Sequence, residues 1–132
     1  MGIAVGCSIS LFSFADVVVV VHPSNDAALN VKTVQRIFLG KEKKFSNGKE
    51  AIPLNQTASA DARGLFDTDT LGRSSTQIAA YWSKLVFTGK GIPPKELDND
   101  AAVLAIVADN PNAIGYVDRA SVSDAVKAVS LN

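Results

Sequence analysis

The sequence predicts an α/β fold: a single three-layer lobe in which a mixed, mostly parallel sheet carries helices on both faces. Strand-like and helix-like segments alternate along the chain, which is the pattern of such sheets. Five consecutive valines at 17–21 indicate a strand buried on both faces, as in a parallel sheet. The 132 residues, 47% hydrophobic and 20% charged, suffice for one packed core. Because no linker or repeat divides them, we expect one domain over 16–132.

The elements of the first half follow the valine strand in order. Asn30 is the predicted N-cap of a helix with one apolar face, and Gly40 ends that helix. A turn at 47–48 leads to a short strand within 51–55. Pro53 predicts that this strand lies at an edge of the sheet or ends there, since proline has no N–H to donate.

Three helices are predicted next. The first starts after Ser59 and stops at Gly72, the second begins with the capping box of Ser74 and Gln77, and the third starts at Asp98. The remaining elements are a turn and a buried strand within 110–117, a short helix near 121–125 and a final strand near 128–132.

Composition narrows the function classes. Thirteen basic and thirteen acidic residues balance, so bulk charge supports neither nucleic acid nor an anionic membrane as a partner. His22 is the only histidine, and no metal-ligand spacing or nucleophile–base–acid set is visible. We therefore expect a binding protein without a metal or cofactor rather than an enzyme.

The first fifteen residues differ from the rest of the chain. They carry no charge, are mostly apolar and end in Ser13-Phe14-Ala15, which suits a signal-peptidase site. The interpretation is a signal peptide over 1–15, cleaved before Asp16, although the usual basic start is missing. The alternatives are a buried N-terminal helix or strand, or lipoprotein cleavage before Cys7.

The stretch "LNQTASADARGLF" at 54–66 is the candidate binding site. A strand runs through a polar loop into a helix, where Thr57, Ser59, Arg63 and main-chain N–H groups can surround an anion. Asp61 lies in the first helical turn, where it either opposes the anion or faces away from it.

Ser24 and Asn25 are further candidates, because they directly follow the buried valine strand. In open α/β sheets, ligand-binding loops lie at the carboxyl ends of strands. If both loops share one crevice, these side chains contact the same ligand.

A purely structural interpretation of the 54–66 stretch stays open. In it, Ser59 is the N-cap, Asp61 complements the helix dipole, and Arg63 pairs with Asp67 one turn on.

Three strings carry a resemblance to a known family: "RIFLGK" at 36–41, "AYWSKLVFTGKGIPP" at 80–94 and "NPNAIGYV" at 110–117. In this order they resemble the small phosphate-binding-protein-like members of the type II periplasmic binding protein superfamily, the substrate-binding components of ABC-type importers. Full-length members have two α/β lobes, and this chain resembles one of them, the lobe inserted mid-chain.

The resemblance implies a secreted, periplasmic solute-binding-like protein for phosphate or a similar small oxyanion. Its partners would be an ABC-type membrane permease or another periplasmic protein. Larger phosphate binders have a Ser-Gly-Thr-Arg string, whose arginine matches Arg63, while Ala60, Asp61 and Ala62 replace the other three residues. Asp61 could accept the proton of hydrogen phosphate. The alternative is a protein-interaction or regulatory module that has kept the fold and lost the ligand.

Overall fold

The computed structural model describes residues 16–131, so the signal peptide predicted over 1–15 lies outside the described residues. In chain order the elements are β1 (Val17–Val21), α1 (Val31–Phe38), β2 (Ile52–Gln56), α2 (Asp61–Leu65), a π-helix (Phe66–Leu71), α3 (Ser75–Phe87), β3 (Lys95–Leu97), α4 (Asp100–Asp109), β4 (Ala113–Asp118), a 3-10 helix (Arg119–Ser121) and β5 (Lys127–Val129). Within 16–131, no helix has the length and apolar character needed to span a membrane.

The five strands form one mixed sheet in the order β3-β2-β4-β1-β5. Strand β2 runs parallel to β3 and β4, whereas β1 runs antiparallel to β4 and β5. The parallel neighbours expected for the valine strand are therefore wrong, although its burial on both faces is confirmed. A strand covered by helices on both sides needs apolar residues throughout, whichever way its neighbours run.

A hydrophobic cluster lies on each face of the sheet, which confirms the three-layer α/β prediction. Val19 and Val21 point to the face covered by α1, the π-helix and α3, whose buried side chains include Val34, Ile37, Phe38, Phe66, Ile78 and Trp82. Val18 and Val20 point to the other face, where α4 contributes Val103 and Val107. Successive residues alternate between the two faces because the side-chain period of a strand is two.

The helix boundaries with clear signals are confirmed. Asn30 caps α1 by accepting a hydrogen bond from the Thr33 N–H at 2.8 Å. Ser74 and Gln77 form the reciprocal capping box of α3, with bonds of 2.9 and 3.1 Å. Gly72, with φ of 72°, ends the π-helix in the left-handed conformation that glycine adopts without strain.

Strand β2 is interior rather than an edge, so that part of the Pro53 prediction is wrong. Pro53 is tolerated because β3 pairs only with residues 54–56, beyond the proline. Strand β3, three residues long, was not predicted. Helix α4 begins at Asp100 with Asn99 as its N-cap, and a 3-10 helix over Arg119–Ser121 replaces the helix expected near 121–125.

The strand directions decide which loops meet at which end of the sheet. Val17, at the start of β1, pairs with Asp118, at the end of β4, so the start of β1 lies beside the carboxyl ends of β2 and β4. Because β5 is antiparallel to β1, with Val129 opposite Val19, the chain leaves β5 at that same end.

Candidate functional site

The carboxyl ends of β2 and β4 lie next to the amino-terminal turns of two helices, α2 and α4. The cavity between them has a volume of about 450 Å³. Its lining residues come from the strand ends and from the two helix starts: Val17, Gln56, Ala60, Asp61, Ala62, Leu65, Asp98, Asn99, Asp100, Ala101 and Asp118. This is the position at which open α/β sheets hold ligands. We call it the crevice cavity.

Four carboxylates line the crevice cavity, and no lysine or arginine among the described residues does. Asp100 is held by the structure: one oxygen accepts from Gln56 Nε2 at 2.9 Å, and the other accepts from the Asp118 N–H at 3.1 Å and Ser121 Oγ at 2.7 Å. Asp118 in turn caps the 3-10 helix. The side chains of Asp61 and Asp98 make no hydrogen bond or ion pair within 16–131, so their carboxylates are available to a ligand.

The start of α2 differs from that of α4 in its capping. Asn99 caps α4 by accepting from the Ala102 N–H at 2.9 Å, whereas Ala60 offers α2 no side-chain acceptor. The prediction of Ser59 as N-cap is therefore wrong. Thr57 and Ser59 lie in the preceding loop with their hydroxyl oxygens 3.4 Å apart, and neither lines the crevice cavity.

Arg63 points into the protein and is 6% exposed. Its Nε donates to Asp67 at 2.9 Å, and its Nη1 donates to the Gln56 carbonyl at 2.7 Å and to Glu96 at 3.2 Å. The Arg63–Asp67 pair of the structural interpretation is thus confirmed. Arg63 does not line the crevice cavity but fixes the end of β2 from behind it.

Burial alone would lower the pKa of Arg63, but the attraction of Asp67 and the hydrogen bonds to Asp67 and Glu96 outweigh it and raise that pKa. The guanidinium is therefore charged at every physiological pH. Asp67 is fully buried, and its Oδ2 also accepts from Ser75 Oγ at 2.7 Å. Its Oδ1 has no partner within the described part of the chain, so Arg63 supplies most of its compensation.

A second buried network holds the end of β2 to β4. The Tyr116 hydroxyl donates to Asn55 Oδ1 and accepts from the Gln56 N–H at 3.1 Å. Gln56 Nε2 donates to the Tyr116 carbonyl at 2.9 Å. Burial raises the pKa of the Tyr116 hydroxyl well above its usual range, so that group remains protonated and keeps donating. Gln56, which lines the crevice cavity, is consequently held to β4 by two hydrogen bonds.

Ser24 and Asn25 lie at the opposite end of the sheet. They follow Val21, which pairs with Ile114 near the start of β4, and β2 starts at that end too. The expectation that they share a crevice with the 57–63 loop is therefore wrong, and the cause is the antiparallel direction of β1. Ser24 bonds His22 at 2.8 Å, and Asn25 Oδ1 accepts from the Ala27 N–H at 2.9 Å.

Four polar residues of this cavity were not among those predicted from the sequence: Gln56, Asp98, Asp100 and Asp118. Asp118 directly follows the buried strand predicted within 110–117, so the rule that ligands gather at strand ends could have identified it. Asp98 was recognised only as the start of a helix. No group of histidine, cysteine or acidic side chains in 16–131 is arranged to hold a metal ion.

No protein-family model matches the chain. Its fold is similar to that of a Clostridium perfringens protein assigned as a phosphate ABC transporter substrate-binding protein and solved with bound phosphate, at a TM-score of 0.70 and 19% identity over 89% of this chain. It is also similar to an ABC-type phosphate transport receptor from Vibrio cholerae, at a TM-score of 0.68, 17% identity and 89% coverage. A Planctomyces limnophilus protein assigned to phosphate binding is similar at a TM-score of 0.64, with 17% identity over 98% of this chain.

These similarities establish the fold, that of one lobe of a periplasmic binding protein. The chain spans less than half of the solved structures that it matches: 45%, 46% and 48% of the Clostridium, Vibrio and Planctomyces chains, respectively.

Proposed function

We propose that this protein is a periplasmic solute-binding lobe that takes a phosphate-like oxyanion, in a protonated form, into the crevice cavity. The observation that carries the proposal is the convergence of two helix amino termini on one cavity at the carboxyl ends of β2 and β4. Helix amino termini present N–H groups and partial positive charge to an anion. The phosphate-binding proteins of the same fold support the choice of ligand.

The carboxylates decide which form of the anion is accepted. Two unit charges about 4 Å apart interact by about 4 kcal/mol at an effective dielectric near 20, so Asp61 and Asp98 repel a fully deprotonated ligand. A ligand with its own O–H can donate it to a carboxylate, in a charge-assisted hydrogen bond worth about 1.5–3 kcal/mol. Hydrogen phosphate carries such a proton at neutral pH and sulfate does not. The site should therefore select phosphate over sulfate.

In this proposal Arg63 positions the site without contacting the ligand. Its bonds to the Gln56 carbonyl and Asp67 join β2 to the π-helix behind the cavity. Thr57 and Ser59, whose hydroxyls contact each other, shape the loop that leads into α2. The proposed activity is binding rather than catalysis, and an ABC-type permease or another periplasmic protein would receive the ligand.

Isothermal titration calorimetry tests the proposal. The chain is titrated with phosphate and with sulfate at pH 6 and pH 8, beside Asp61→Asn and a matched control, Asp109→Asn, which changes an aspartate of α4 outside the cavity. We expect phosphate to bind, and more tightly at pH 6 because more of it carries two protons. Asp61→Asn should lose roughly tenfold or more in phosphate affinity and discriminate less against sulfate. Absence of binding by millimolar phosphate would refute the proposal.

A small cationic solute is the second candidate, because four aspartates and no basic residue line the described cavity. Titration with a diamine at the same two pH values separates the two candidates. A cation should bind through the aspartate charges, so Asp61→Asn and Asp98→Asn should both weaken its binding. Phosphate binding without diamine binding would reject this second candidate.

A further inference from the structure

A second surface lies at the other end of the sheet, where β2 and β3 begin. It is apolar and unusually exposed: Phe87 at the end of α3 is 91% exposed, Ile92 in the following loop is 89% exposed, and Val86 is 52% exposed. Pro93 lies between them, lining one cavity with Phe87 and another with Ile92. We call Val86, Phe87, Ile92 and Pro93 the apolar tip.

The apolar tip stands on a rigid base. Trp82 beneath it is 8% exposed and lines all three neighbouring cavities. A Cβ added at Gly40 would lie 2.8 Å from the Trp82 indole, and one added at Gly91 would lie 3.1 Å from it. The two glycines therefore let the backbone close on the indole from two segments, which fixes the loop that carries Ile92.

Lysines surround the apolar tip. Lys84 lies three residues before Phe87, on the same side of α3, and the cavities beside Ile92 are lined by further lysines. The charged residues of this rim are Lys41, Lys43, Lys84, Lys90 and Lys95, with Glu42 and Glu50. Five lysines against two glutamates give the rim a net charge of +3, although the whole chain has a net charge of zero.

The two ends of the sheet thus have opposite charge. Aspartates line the crevice cavity at the carboxyl end of β2, and the lysine rim lies around its amino end, where Pro53 and Lys95 line a cavity. Near a negatively charged surface this arrangement turns the rim toward the surface and the crevice cavity away from it.

We propose that the apolar tip and its lysine rim dock on a membrane surface rich in anionic phospholipid. Phe87 and Ile92 expose most of their side chains to solvent, so they can enter the boundary between headgroups and acyl chains. Lysines beside them can lay their methylene stems along the apolar layer and keep their ammonium groups at the lipid phosphates. The net charge of the whole chain does not indicate this surface, because the positive charge is confined to the lysine rim.

Vesicle co-sedimentation of the full chain tests the proposal, with vesicles of phosphatidylcholine alone and of phosphatidylcholine containing a third of phosphatidylglycerol. We expect binding to the anionic vesicles that weakens at high salt, and little binding to the neutral ones. Phe87→Ser with Ile92→Ser should lower the partition coefficient by on the order of tenfold or more. Lys84→Gln with Lys90→Gln should lower it by on the order of fivefold for each lysine.

Val31→Ser with Lys32→Gln is the matched control, because it changes an exposed valine and lysine on α1 away from the tip and should leave binding unchanged. Circular dichroism checks that every variant is folded. Equal binding by parent and tip variants would overturn the proposal, as would equal binding to both vesicle types. So would a dimer, seen by sedimentation velocity without lipid, that Phe87→Ser dissociates, since the tip would then be a self-association face.

Discussion

Arg63 is the residue on which the interior of the candidate site depends. It is the cation that compensates Asp67, whose carboxylate is fully buried and whose Oδ1 has no partner within 16–131. Removing one partner of a buried ion pair leaves an uncompensated charge, which costs about 3–5 kcal/mol. We therefore predict that Arg63→Ala lowers the free energy of unfolding, measured in urea, by about that amount.

Two comparisons make the Arg63 prediction specific. Arg119→Ala breaks an ion pair with Asp16 in which both side chains are more than half exposed, so it should cost about 0.2–1 kcal/mol. The double variant Arg63→Met with Asp67→Leu removes both charges, so it should recover much of the stability that Arg63→Ala loses. If Arg63→Ala and the parent unfold at the same urea concentration, the Arg63–Asp67 pair does not stabilise the native state.

For single residues, the sequence predicts contacts between residues that are close along the chain. The spacing of four residues identified the Arg63–Asp67 pair, and an acidic residue at a helix start identified Asp61. The Arg63–Glu96 contact joins a residue of α2 to a residue of β3, so no local pattern contains it. The inward direction of Arg63 follows from the buried acceptors at Asp67 and the Gln56 carbonyl, which only the fold brings together.

Among the elements, β4 and α4 are packed unusually closely. A Cβ added at Gly115 would lie 2.6 Å from Val103 Cγ1, nearer than such atoms approach in proteins. Gly115→Ala should therefore force the helix away from the sheet and destabilise the protein by about 1–3 kcal/mol.

Coupling between two substitutions tests this close contact. Val103→Ala removes the methyl group that meets the new Cβ, so Gly115→Ala with Val103→Ala should cost less than the sum of the two single changes. Urea unfolding of the four chains gives the coupling energy. If the two losses of stability are strictly additive, α4 shifts away from the sheet without using the space that Val103→Ala opens.

Elements with strong local signals were predicted well: the capped helices α1 and α3, the valine strand, and the strand of 110–117. Strand β3 was missed because it has only three residues and follows two prolines, which favour an irregular chain. Its three pairings with β2 hold it in the sheet instead. The start of α4 was misplaced because Asp98 and Asn99 are both suitable caps.

For the whole molecule, the number of layers followed from sequence and the strand order did not. A run of buried valines has the same composition whether its neighbours are parallel or antiparallel. The direction of β1 nevertheless decides that Ser24 and Asn25 lie away from the crevice cavity and that Asp118 lies beside it. Two of the six predicted site residues were therefore misplaced by one strand direction.

The antiparallel pairing of β5 with β1 brings Leu131 and Asp16 to the same end of the sheet. A segment whose two ends are neighbours in space tolerates circular permutation. A permuted chain that joins Leu131 to Asp16 through a short glycine–serine linker, and opens at the exposed Asn47–Gly48 turn, should give the parent's circular dichroism spectrum and a cooperative urea transition. A host polypeptide could likewise carry this lobe as an insert. The two junctions between host and lobe would then lie side by side, beside the crevice cavity.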